Sequence, residues 1–157
     1  MAVASHNTTL WDTDLLLEIA GLRLSLFEQL HSLGQRQLEL IDQRDMTQLI
    51  HVLSAKHHVL AELQQTEKRL DPFRGQEPKL RRWRNALLRE RCATVVEKSD
   101  QLLREILQQE KLAETRLEQH RNETAQRLQL AHSAGHARTA YAAPAGRPGM
   151  LDITTER

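Results

Sequence analysis

A single cysteine, Cys92, excludes an internal disulfide and any zinc framework built on paired cysteines, and nothing in it demands an oxidising compartment. Aromatic residues are scarce as well: two Trp, two Phe and one Tyr make up 3% of the 157 positions. A sandwich or barrel core needs more, so the apolar area must come from leucine spaced along packed helices. Charge of one sign is also absent, because 22 Lys+Arg offset 21 Asp+Glu to a formal net charge of +1. A general nucleic-acid binder rests on many uncompensated cations, so that class is not expected. The apolar run Leu15-Leu16-Leu17 is cut by Glu18 and has no basic segment before it. Neither a signal peptide nor a membrane span is expected, and the expected location is cytoplasmic. There is no Gly-rich phosphate loop, no Gly-x-Ser-x-Gly turn and no Cys-x-x-Cys pair. The sequence therefore predicts no enzyme and no cofactor.

The prolines fall in two pairs, Pro72 with Pro78 and Pro144 with Pro148, and divide the chain into three stretches. After a polar leader (1–9), Thr9 and Asp12 have the spacing of a capping box. Ile19, Leu22, Leu26, Leu30, Leu33 and Leu40 then recur at steps of three and four, with Gln37 in the missing turn, and predict a helix over about 10–42. Gly21 and Gly34 interrupt it without an evident reason. Asp45 is a good N-cap for a second stripe, Met46, Leu49, Leu53, Leu60, Leu63 and Leu70, over about 45–71, after a tight reversal into an antiparallel pair. A third helix is predicted from Pro78 to about 133. Its stripe runs Leu80, Trp83, Leu87, Leu88, Cys92, Val95, Leu102, Leu103, Ile106, Leu112 and Leu117, with Ser99 and Gln109 as polar interruptions, and thins toward Leu128. At about 54 positions it spans roughly 80 Å against roughly 45 Å for the first helix. It must project beyond its partners or fold back as a fourth helix near residues 109–116, and the absence of Gly and Pro there favours projection. The fold class is all-α: an antiparallel bundle of three, possibly four, long helices over residues 10–134. Gly135 is a plausible C-cap, and the Ala-, Gly- and Pro-rich segment 135–157 is expected to be a disordered, flexible tail.

Several residues invite a chemical reading. His132 and His136 are four apart, and His51 and His58 seven apart, but neither pair has an accompanying carboxylate at ligand spacing, so no metal is expected. Cys92 lies on the apolar stripe and reads as a small core residue. Lys79, Arg81, Arg82, Arg84, Arg89 and Arg91 form the one local charge asymmetry, with Trp83 among them. They could grip nucleic acid or an acidic partner; the weightier reading is a solvated helix face on which Glu77 pairs with Arg81 and Asp100 with Arg104. Tyr141, the only tyrosine, falls in a segment with no core to join and has the character of an anchor for a partner's pocket.

The block from Gln37 to Lys56 (QLELIDQRDMTQLIHVLSAK), followed by Leu60 and Leu63, resembles the FlgN family of flagellar type III export chaperones. In that family a leucine-rich helix leads to an acidic residue, here Asp45, and then to a second helix carrying a Lys, here Lys56, and further leucines. The likeness extends over about residues 10–141. It implies a cytosolic chaperone that binds hook-associated proteins of the FlgK/FlgL type by their C-terminal helical segments before export. In that light Ile106, Leu112, Leu117 and Leu128, where the partners of the third helix run out, are candidate positions for a client-binding groove. A tail tyrosine in the family is associated with docking on the export gate protein FlhA, which implies that role for Tyr141. Weaker alternatives are a coiled-coil escort of the export ATPase, of the FliJ type, and a nucleic-acid-binding helix centred on the arginine cluster.

Overall fold

The computed structural model describes the backbone of residues 10–155 and the side chains of residues 10–142. The described chain is all-helical: α1 is Leu10–Asp42, α2 is Met46–Arg74, a 3₁₀ turn covers Pro78–Leu80, and α3 is Ala86–Thr155. The leader with Thr9, and the side chains of Met150, Leu151 and Ile153, lie outside the described residues. No described helix is long and apolar enough to cross a membrane. By its internal contacts the chain divides into two units between Glu114 and Thr115.

The first unit is an up-down-up bundle. Its α1–α2 reversal is built from local hydrogen bonds. The Arg44 N–H donates to the Ile41 carbonyl and the Asp45 N–H to the Leu40 carbonyl, both at 3.0 Å, while Arg44 takes a φ of 59°. This is a Schellman closure with arginine in the left-handed position that glycine usually fills. Asp45 then caps α2, its carboxylate accepting from the Gln48 N–H at 3.1 Å. The partners across the pair diverge from the turn, Gln37 meeting Lys56 and Arg23 meeting Glu67, so α2 runs back along α1 as expected. From Ala86 to Glu114, α3 runs parallel to α1. Cys92 packs in a cluster with Leu16, Ile19 and Phe73, and Ile106 packs with Leu26, Phe27, Leu30 and Val59. Each fully buried aliphatic side chain in these clusters contributes about 1.5–3 kcal/mol.

Two polar contacts explain interruptions in the apolar stripes. Lys56, buried in the bundle, donates to the Gln37 side-chain oxygen at 2.6 Å and pairs with Glu110, linking all three helices. Burial pulls the Lys56 ammonium below its ordinary value of 10.5. The unfolded chain therefore holds this proton more tightly. Stability from this group rises with pH between the lowered native value and 10.5, and below that window the burial cost is constant. Lys56→Met is expected to cost about 1–3 kcal/mol, because the buried Gln37 amide loses its donor. Adding Gln37→Leu should bring stability back to within about 1 kcal/mol of the parent. Urea titrations at neutral and alkaline pH check both points: the gap between parent and single variant should widen as pH rises.

The second contact concerns Gly34. The Gln109 side chain donates to the His31 carbonyl at 3.1 Å, and a Cβ built on Gly34 would lie 2.9 Å from its Cδ. Glycine is thus the residue that lets Gln109 cross α1, whereas a Cβ on Gly21 would meet nothing within 4 Å. Gly21→Ala is accordingly expected to raise stability by about 1 kcal/mol through helix propensity. Gly34→Ala should show no such gain, because it displaces Gln109 from its hydrogen bond. Thermal melts of the two variants side by side test the contrast.

The α2–α3 connection differs from expectation. Helix α2 continues through Pro72 to Arg74 rather than ending at 71, and buries Phe73 against Leu16, Ile19 and Cys92. Pro78 opens only the 3₁₀ turn, and α3 starts at Ala86, where the Asn85 side chain caps it by accepting from the Leu88 N–H at 2.9 Å. The intervening irregular segment is held to α1 by the Thr13 hydroxyl, which donates to the Arg82 carbonyl at 2.7 Å. Leu80 and Leu87, placed on the third stripe by spacing, are therefore exposed. Trp83, just before the helix, still reaches the cluster of Leu16 and Cys92.

Helix α3 passes through residues 109–116 without a break, so three helices rather than four form the fold. It also passes the expected cap at Gly135. Ala131, Ala134, Ala137, Ala140 and Ala142 favour helix here, and no proline intervenes before Pro144. Every side chain of the second unit from Arg121 to Ala142 is exposed, in keeping with a segment that has no core to join.

Candidate docking face on the second helix

The inward residues of α2 include Leu49, Lys56, Val59 and Thr66, at steps of seven, three and seven. A second set, Met46, Ile50, Leu53, His57 and Leu60, recurs at steps of four and three on another face and is exposed throughout. Ile50 has 66% of its surface open, and Met46, Leu53 and Leu60 have 42–43%. The pattern predicted from sequence had assigned Met46, Leu53 and Leu60 to the core and passed over Ile50. The error is one of phase. Apolar residues surround much of α2, so spacing alone does not reveal which side is covered.

Charge separates this face from other exposed leucines. From Met46 to Ala61 the only Lys, Arg, Asp or Glu is Lys56, which points inward, in a chain that is 27% charged. Exposed Leu107 on α3, in contrast, sits among Arg104, Glu105, Glu110 and Lys111. Depletion of charge around exposed apolar side chains is the signature of an interface core. The face extends over fifteen residues from Met46 to Leu60, roughly 21 Å, enough for about four turns of a partner helix.

The positions expected to form a client groove are not arranged as one. Ile106 is 7% exposed and belongs to the core with Leu26 and Val59, so it offers nothing to a client. Leu112 is exposed but lies about 120° around the helix from Ile106. Leu117 and Leu128 belong to the second unit, where, eleven residues apart, they share a helix face; Leu117 is half-buried and Leu128 exposed. Tyr141, also in the second unit, is 87% exposed and lies within the bounds of α3.

The remaining candidates fall into place more simply. Cys92 is buried, and burial pushes its thiol above the ordinary value, with the nearby Arg81 charge opposing. His132 and His136 stack edge to face and share a hydrogen bond between their Nε2 atoms at 3.0 Å. No three His, Cys, Asp or Glu side chains gather to hold a metal ion among the described residues. In the basic run, Arg84 pairs with Asp14 at 2.7 Å. Arg81 does not reach Glu77 by helical spacing, because residues 81–85 are not helical; it donates instead to the Phe73 carbonyl at 2.9 Å. No protein-family model, curated protein or solved structure matches the chain.

Proposed function

We propose that the chain is a non-catalytic cytoplasmic export chaperone of the flagellar type III system, with a role like that of the FlgN family. It holds the C-terminal amphipathic helix of a hook-associated protein of the FlgK/FlgL type against the α2 face, and Tyr141 docks the loaded complex on the FlhA-type export gate. The observation that carries this reading is the uncharged apolar face of Met46, Ile50, Leu53 and Leu60, which falls within the same block of sequence, Gln37 to Leu63, that resembles FlgN. An amphipathic client helix waiting for its assembly partners has an apolar stripe to bury, and a complementary stripe on a rigid hairpin accepts it.

Binding and delivery separate in this scheme. Tyr141→Ala is expected to leave affinity for a purified hook-associated subunit within about 2-fold of the parent, while loss of an exposed aromatic anchor lowers affinity for the gate protein at least about 10-fold. Titration calorimetry with each partner, and secretion of hook-associated proteins in cells carrying the variant, provide the test. Unchanged gate binding and secretion would remove Tyr141 from the scheme; no binding of the subunit by the parent chain would remove the chaperone reading.

A further inference from the structure

The first unit also carries an open groove of about 470 Å³ where the 3₁₀ turn meets the first turns of α3. Lys79, Arg81, Arg89 and Arg104 line it, against two carboxylates, Glu97 and Asp100. These four cations come from a chain whose overall formal charge is only +1. Arg23, Arg36, Arg74 and Arg84, in contrast, each meet a carboxylate. Among the described residues the four groove cations meet none, and the Arg81 Nε is buried without a hydrogen-bond partner although its Nη2 is anchored on the Phe73 carbonyl. Between the charges, Trp83 and Val96 provide apolar lining.

We propose that this groove binds an acidic peptide segment of a protein partner, one in which carboxylates flank an apolar side chain. The unmatched cations take the carboxylates, and the lining beside Trp83 takes the apolar group. Nucleic acid fits less well. Glu97 and Asp100 would face phosphates, and Trp83 is half-buried against the core cluster rather than free to stack on a base. The site is separate from the α2 face and stands or falls independently of the chaperone reading.

The test uses the full chain carrying Trp11→Phe, so that Trp83 is the sole tryptophan reporter. The probes are a short fluorescein-labelled peptide of Glu and Leu, the same peptide with Gln for Glu, and a single-stranded oligonucleotide of similar length. The acidic peptide is expected to bind at physiological salt and to perturb Trp83 emission. Arg89→Gln with Arg104→Gln, both at exposed positions, should weaken it at least about 10-fold, and Asp100→Asn should tighten it. Affinity should also fall as salt rises. Equal binding of the Gln peptide, stronger binding of the oligonucleotide, or indifference to the arginine pair in a variant with an unchanged circular-dichroism melt would each overturn the proposal.

Discussion

Leu26→Ala is expected to lower the stability of the bundle by about 3–5 kcal/mol. Leu26 is 1% exposed and packs in one cluster with Phe27, Leu30, Val59 and Ile106, a cluster drawn from all three helices of the first unit. Truncation forfeits the transfer free energy of the removed carbons and leaves a cavity whose walls belong to three separate elements, which limits collapse around it. In a domain with only about 5–15 kcal/mol in total, that is a large share. Urea denaturation followed by helical circular dichroism measures it. The control lies one turn earlier on the same helix: Leu22→Ala, at an exposed position, should cost no more than about 0.5 kcal/mol. Similar losses at both sites would mean that α1 does not bury the face described.

Ile50→Asp combined with Leu53→Asp is expected to lower affinity for a hook-associated subunit at least about 100-fold, with little change in the fold. Both side chains are exposed in the free chain, so the substitutions leave no cavity and cost only helix propensity, about 1 kcal/mol together. In a complex, each aspartate would be desolvated against an apolar partner stripe without a cation nearby, since Lys56 is already engaged with Gln37 and Glu110. Leu107→Asp, an exposed apolar position set among charges on α3, should leave binding within about 2-fold. Titration calorimetry of the three proteins with the purified subunit separates a specific face from general surface hydrophobicity.

How much of this was legible in the sequence varies with the residue. The leucine steps from Ile19 to Leu40 fall mostly on the covered side of α1, from which Leu22, exposed, and Leu33, half-buried, depart, while the buried Leu16, Phe27 and Ile41 lie outside those steps. Asp45 announces the start of α2, since a capping carboxylate is a local device. The reversal before it has no glycine to announce it, because Arg44 occupies the left-handed position. Pro78 misled the placement of α3: proline suits a first helical turn, but tertiary contacts of Thr13 and Phe73 hold residues 81–85 out of the helix until Asn85 caps it. Gly34 and Gln109 looked like two separate interruptions and are one contact, visible only once the helices are side by side.

The candidate site was less legible for a specific reason. Helix α2 has apolar residues on more than one side, and periodicity records their spacing but not which side is covered. The signal present in the sequence was of another kind: sixteen residues from Met46 to Ala61 with a single formal charge. Ile106 shows the converse. Length mismatch placed it where α3 outruns its partners, yet Val59 of α2 and Leu30 of α1 both cover it.

The most direct measurement is site-specific photo-crosslinking from a benzophenone side chain placed in turn at Ile50, Leu53, Leu107 and Leu128 of the full chain, mixed with a purified hook-associated subunit of the FlgK/FlgL type. The α2 docking face predicts crosslinks from Ile50 and Leu53 to the C-terminal helix of the subunit, and none from Leu107 or Leu128. Crosslinks from Leu128 alone, with Ile50 and Leu53 silent, would contradict it and place the client on the second unit.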